Sequence, residues 1–311
     1  MAFPGKRLLD QRLHDLLCGG VARTPPIATR DADICICSQV SARDITMYLV
    51  AIKSFYARLG RGKVFVINDG SLTAAHIRLL KEQVAGITVL HAKDAPKRQV
   101  PQGGCWERWL HIVQLAQANY VIQLDSDTIT RAAVEEVRDA CAARQPFIMA
   151  GDRTGAQVVT RERASRDAAA TSSRHVQVLM EQKLAEIAGL SPNYVRGCAA
   201  FFGLPPGAIS LDEVEDFSRR VQDMLGGRWS DWGSEQATVN YFLANLSGTR
   251  VLQPPKYTHR WKDAPGPESA FVHFIGTYRF DRQFYGLQSR RIIRELRRPM
   301  PAQAALDAVA G

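Results

Sequence analysis

No stretch of the sequence approaches the ~18 consecutive apolar residues that a bilayer-spanning helix requires. The opening residues, MAFPGKRLLDQRLHDLL, interrupt each short apolar run with charge, so no secretory segment is expected and a cytoplasmic location is. Internal repeats are absent, and so is any stretch that sets lysines and arginines on one face with aromatics between them. A nucleic-acid partner is therefore not expected. The six cysteines, Cys18, Cys35, Cys37, Cys105, Cys141 and Cys198, include no CxxC pair. Free buried thiols are the favoured reading over a zinc site or a disulfide framework. What the chain does carry is a net charge of +9. That excess attracts anions, and a phosphorylated substrate or an acidic membrane surface fits it as well as nucleic acid does.

At 311 residues the chain can build one large α/β domain or two small ones. Residues 1–32 read as a polar, partly helical leader that ends at Thr24-Pro25-Pro26. Strands are predicted over 32–37, 63–67 and 87–91 and at Tyr120–Leu124, with helices over 41–59, 73–84 and 106–117 between them. Ser41-Ala42-Arg43-Asp44 has the form of a capping box. Strands that alternate with helices of this length predict a mainly parallel, doubly wound sheet. Beyond Ala150 the pattern loosens. Residues 153–175 read as a loop or weak helix, 173–187 and 211–224 as helices, and 194–204 as a strand. A further helix starts near Ser234, the proline-rich 254–267 is a loop, and 271–276 is a last strand. The tail from Gln288 carries Arg290, Arg291, Arg294, Arg297 and Arg298 on a helix broken at Pro299.

The chemistry gathers at three places. Tyr120–Leu124 is an apolar run that ends in Asp125-Ser126-Asp127-Thr128. Two carboxylates at the carboxyl end of a buried strand repel one another and lose solvation, and a shared cation relieves both costs. Residues two apart on an extended chain point to one side, so Asp125 and Asp127 can share an ion, and their hard oxygens suit Mg²⁺ or Mn²⁺. The bland alternative is an Asp-rich turn capping the next helix. Asn68-Asp69-Gly70-Ser71 is a turn after another strand, where Asp69 can accept hydrogen bonds from a base or ribose; an ordinary Asp-Gly turn reads the same way. In His273-Phe274-Ile275-Gly276-Thr277-Tyr278-Arg279 the imidazole can complete a metal site. Gly276 permits close backbone approach, and Arg279 can pair with phosphate. A histidine in an apolar strand is otherwise a core residue.

With these patches in view, the chain resembles the GT-A nucleotide-sugar glycosyltransferases, and most of all family 8. In that family a metal-binding Asp-x-Asp follows a strand, and a later His-x-x-Gly-x-x-Lys completes the metal and diphosphate site. Here those motifs are Asp125-Ser126-Asp127 and His273, Gly276 and Arg279, with arginine for lysine and Phe280-Asp281 where the family has Pro-Trp. The resemblance spans roughly residues 33–280. It implies a single GT-A (Rossmann-like) α/β domain over 33–285, with a nucleotide-binding half at 33–150 and an acceptor half at 151–285. The basic tail is then 286–311. It further implies a metal, Mn²⁺ or Mg²⁺, on Asp125, Asp127 and His273. Asp69, Arg108, Ser126, Gly276 and Arg279 fall on the nucleotide-sugar, most simply a UDP-sugar, and Arg98 is a weaker phosphate candidate than Arg108. Arg196-Gly197-Cys198-Ala199-Ala200 and Glu235-Gln236 look like counterparts of the family's Asn-Ser-Gly segment and Asp-Gln pair.

These parallels imply retaining transfer to a hydroxyl of a glycan, lipid carrier or protein, with Glu235 or Gln236 steadying the oxocarbenium-like centre. Asn68-Asp69-Gly70-Ser71 also resembles a turn of the inverting family 2 enzymes, in which case Asp231 or Glu235 is the general base. Two readings of another class stand beside these. Asp125-Ser126-Asp127-Thr128 satisfies the Asp-x-Asp-x-Thr motif of haloacid-dehalogenase-type phosphatases, although three strands precede it and Gly151-Asp152 lacks its second acid at Ala156. A basic nucleic-acid binder lacks a reader motif. The arginine-rich tail is either a solvated helix face or a peripheral contact with anionic lipid.

Overall fold

The computed structural model describes residues 4–30, 33–152 and 154–298. The chain opens with α1 (Pro4–Cys18) and then alternates β1 (Ile34–Val40), α2 (Ile45–Leu59), β2 (Lys63–Asn68), α3 (Ala74–Gln83), β3 (Thr88–His91), α4 (Trp106–Leu115) and β4 (Tyr120–Leu124). There follow β5 (Thr128–Thr130), α5 (Glu135–Ala142), β6 (Phe147–Ala150), β7 (Val158–Thr160), α6 (Arg161–Ala169), α7 (Val176–Lys183) and β8 (Asn193–Val195). The rest comprises β9 (Gly197–Leu204), α8 (Leu211–Leu225), α9 (Ser234–Asn245), β10 (Arg250–Leu252), β11 (Tyr257–Arg260), β12 (Phe271–Phe274) and α10 (Phe284–Leu296).

Seven strands form one mixed but mainly parallel sheet in the order β10-β6-β9-β4-β1-β2-β3. Successive residues of a strand point to opposite faces. Ile34 and Ile36 accordingly join the apolar layer of α2, while Cys35 and Cys37 join that of α4. Apolar runs with both faces covered are the mark of a doubly wound sheet. Only β9 runs against its two neighbours. Its first residues therefore lie beside the carboxyl end of β4, where Asp125 donates its N–H to the Ala200 carbonyl at 2.9 Å.

A smaller sheet, β11-β12-β5, stands next to this one. Phe201 of β9 stacks on Phe271 of β12 with ring centroids 4.0 Å apart. Burying each such ring contributes about 1.5–3 kcal/mol, so the stack ties the two sheets together. Pairing in the small sheet sets His273 opposite both His259 and Thr128.

Several expectations need correction. Ser41 precedes a 3-10 turn over Ala42–Asp44 but makes no capping bond: its hydroxyl donates to the Asp44 carboxylate at 2.5 Å, and α2 starts at Ile45. The working capping boxes are at Thr73 and Ser210. The expected loop at 254–267 contains β11, and residues 153–175 contain β7 and α6. Leader and tail are not separate appendages. α1 packs on α10, both pack on α2, and Cys18, Val21, Tyr285, Ile292 and Ile293 belong to the main core. The tail's residues 299–311, including the break at Pro299, lie outside the described residues, as do Ala32 and Arg153. Among the described residues no helix is long and apolar enough to cross a membrane.

Candidate active site

The chain leaves the main sheet at Asp125 and enters the small one at Thr128, so Asp125-Ser126-Asp127 bridges the two. Phe274 closes the bridge by donating its N–H to the Asp127 carbonyl at 2.8 Å. That contact and the pairing of His273 with Thr128 bring imidazole and carboxylates together, with His273 Nε2 3.3 Å from Asp127 Oδ1. Ligand atoms of Asp125, Asp127 and His273 all lie within 4.8 Å of one another. Two carboxylates and an imidazole at that separation can close on one ion, and the donor set suits Mn²⁺ or Mg²⁺.

Two arginines frame this group. Arg108, on α4, donates through Nη1 to Asp125 Oδ1 at 2.5 Å and through Nη2 to Glu235 Oε1 at 3.0 Å. Gln123 adds a hydrogen bond to the same Asp125 oxygen at 2.7 Å. Arg279 follows β12, anchors its Nε on the Phe274 carbonyl at 3.1 Å and pairs with Asp127 Oδ2.

The titration of these groups follows from that arrangement. Burial raises the Asp127 carboxyl, but Arg279 and His273 more than offset it and hold Asp127 well below the usual carboxylate range. Burial also raises Asp125, Arg108 opposes it, and the neighbouring charge of Asp127 pushes Asp125 further up. Glu235 is pushed up to about 7 by burial, which the Arg108 ion pair only partly offsets. Burial would neutralise His273, yet Asp127 keeps its imidazolium favoured well above the ordinary range. His259 falls to about 4 through burial and the charge of His273.

These residues line a cavity of about 380 Å³ together with Gly104, Cys105, Gly197, Cys198, Ala199 and Ala200. Gln236 and Gly276 line it too. A Cβ at Gly276 would meet no protein atom within 4 Å, so packing does not demand glycine there, whereas a ligand approaching the backbone would.

Other sequence candidates are not brought to the cavity. Ser126 and Asp69 are absent from its lining; Asp69 instead accepts from Ser71 N at 2.9 Å and Ser71 Oγ at 2.5 Å, and is exposed. Asp231 is also exposed and paired with Arg228 at 2.6 Å, because it precedes α9 rather than riding on it. Arg98 is turned to Asp212 and Glu215 on α8, and Arg196 to Glu181. Asp152 accepts from Thr154 N at 2.7 Å and is absent from the cavity lining, so the phosphatase reading, already without an acid at Ala156, loses its first acid as well. Missed from sequence were His259, Trp232 and Trp261, all of which line the cavity. For His259 the one local signal is its alternation with Tyr257 in a strand-like pattern.

No family model matches the chain, and no curated protein does. Solved structures similar to it include the galactosyltransferase LgtC in complex with donor and acceptor sugar analogs. The two are 10% identical over 87% of this chain and 99% of that one, with a TM-score of 0.47. The bifunctional glycosyltransferase WbbM is similar at 12% identity and a TM-score of 0.49, over 91% of this chain and 53% of that chain. Core-mannan synthase A from Aspergillus fumigatus, in an Mn/GDP form, is similar at 10% identity and a TM-score of 0.45, over 88% of this chain and 87% of that one.

Proposed function

We propose that this protein is a GT-A-type glycosyltransferase that moves a sugar from a nucleotide-diphosphate-sugar, most simply a UDP-sugar, to a hydroxyl acceptor. One observation carries the reading: two carboxylates and an imidazole from distant parts of the chain converge in one cavity beside two arginines. A divalent cation held by Asp125, Asp127 and His273, with Mn²⁺ favoured over Mg²⁺ by the nitrogen donor, would supply Lewis-acid neutralisation of the departing diphosphate.

The protein's own groups do the rest. Arg279, partly exposed on the cavity wall, adds fixed positive charge where the diphosphate develops its own. Arg108 is buried between Asp125 and Glu235, so it orients those acids and reaches phosphate only through their field. Gly276 admits the diphosphate close to the backbone, and Asp69, on the turn after β2, is left to the base or ribose of a donor that extends beyond the cavity. Trp232, 74% exposed at the cavity wall, offers an apolar platform to an acceptor sugar.

Retaining transfer is the reading preferred here, with Gln236 or Glu235 beside the sugar. In the inverting alternative Glu235 is the remaining base, since Asp231 is turned away, and a carboxyl at about 7 suits that work. An acceptor on a lipid carrier suits contact with anionic membrane, for which α10 carries arginines and the neighbouring α1 exposes Leu9, Leu13 and Leu16. The test is a panel of nucleotide-sugars with Mn²⁺, followed by NMR assignment of the anomer released. Sugar release from one donor, lost on chelation, supports the proposal; no release from any donor, with or without acceptor sugars, overturns it.

A further inference from the structure

On the Nδ1 side of His273 lies a second group of ligand residues, Cys198, His259 and His273, with one ligand atom from each within 4.8 Å of the others and all three buried. His259 Nδ1 is 3.1 Å from His273 Nδ1, and Cys198 Sγ is 3.7 Å from the same nitrogen. Zinc bonds of about 2.05 Å to nitrogen and about 2.3 Å to sulfur, at tetrahedral angles, place two nitrogens about 3.3 Å apart and a nitrogen and sulfur about 3.6 Å apart. The observed separations are close to those two edges.

The outer hydrogen bonds fit as well. His259 Nε2 donates to the Ala150 carbonyl at 2.9 Å, which leaves Nδ1 of the neutral ring as a lone pair aimed inward. His273 turns its Nε2 to Asp127 Oδ1 at 3.3 Å. A histidine that ligates a metal through one nitrogen characteristically donates the other to a carboxylate or a backbone carbonyl, and here each ring has one such partner. All three residues line the cavity, so a fourth position faces solvent or substrate.

The geometry points to a Cys198–His259–His273 site for a thiophilic divalent cation of the zinc class, distinct from the hard-cation group on Asp125 and Asp127. On binding, the Cys198 thiol gives up its proton and so does Nδ1 of the His273 imidazolium, which otherwise donates to His259 Nδ1. Both groups draw on one imidazole: with His273 Nδ1 on the thiophilic ion, Nε2 keeps its proton on Asp127, so an ion here withdraws His273 from the acidic pair. Cys198 is then a ligand rather than one more inert thiol. The inference rests on the same cavity as the proposed transfer but not on that activity.

Cobalt(II) is the probe, added to the metal-free full-length protein. Wild type is expected to take one equivalent with a thiolate-to-cobalt charge-transfer band that one equivalent of zinc abolishes. Cys198→Ser should lose the band and bind zinc at least ~10-fold more weakly, as should His259→Gln, whereas Asp125→Asn should keep both. Melting of each variant without metal shows that it is folded. Cobalt bound to wild type without the band, or Cys198→Ser holding zinc as tightly as wild type, overturns the site. Failure of sugar release would sink the transferase reading and leave the band untouched.

Discussion

At one corner of the cavity Arg108 is shared between Asp125 and Glu235; at the other, Asp127 is shared between His273 and Arg279. The first corner has one cation for two acids, and both acids are pushed up. The second has one acid for two cations, and Asp127 is held low. The same Asp-x-Asp motif therefore ends in one carboxylate short of positive charge and one with a surplus. A cation on Asp125, Asp127 and a neutral His273 would draw on both corners and leave Arg279 with charge to spare for an anion. Side by side, the two suit a divalent ion and a diphosphate together, and neither alone would.

The sharpest way to break this contrast is to neutralise the shared acid. Asp127→Asn leaves a buried imidazolium and guanidinium facing an amide. Metal-dependent transfer should fall by about 10²–10³ or more, and folding free energy by about 3–5 kcal/mol in urea titrations. The two arginines should then part company. Arg108→Met, at a side chain 6% exposed, leaves two acids uncompensated and should cost about 3 kcal/mol of stability, partly regained at pH 5 as Glu235 protonates. Arg279→Met, at one 21% exposed, should cost less stability but weaken nucleotide binding in calorimetry at least ~10-fold, whereas Arg290→Ala should leave binding unchanged.

A quieter consequence concerns pH. The Glu235 carboxyl binds its proton more tightly folded, at about 7, than at its ordinary 4.5. Its contribution to stability therefore falls as pH climbs through that interval, by about 3 kcal/mol in all, and is flat above it. Glu235→Gln should remove that slope from urea unfolding of the metal-free protein between pH 5 and 8; an unchanged slope would place the shift elsewhere. Smallest of all should be Asp231→Asn, an exposed pair worth at most about 1 kcal/mol, with transfer within about twofold of wild type.

The first half of the chain was legible because its apolar runs are long enough to show a period and are separated by turn signals. Tyr120–Leu124 and its two acids could be read directly, and His273, Gly276 and Arg279 were marked by their spacing. The rest depends on pairing between distant segments, which no local pattern reports. β5, β6, β10 and β11 have three or four residues each, too few for periodicity to register, and β11 sits inside a proline-rich stretch whose prolines all fall outside Tyr257–Arg260. His259 therefore looked like a loop residue. Only its register with His273 makes it part of the site. Asp231 was drawn in by its nearness in sequence to Glu235, but α9 starts after it and carries only the later residues inward. The reversed β9, which sets Cys198 beside the acids, is likewise a non-local pairing.

The central claim, that the two corners together receive a metal ion and a diphosphate, is tested most directly by melting the protein with UDP and Mn²⁺, singly and combined. Wild type should gain stability from the pair well beyond the sum of the two alone, and Asp127→Asn should gain none. An equal shift with UDP in the presence of chelator, or an undiminished combined shift in Asp127→Asn, would contradict the account.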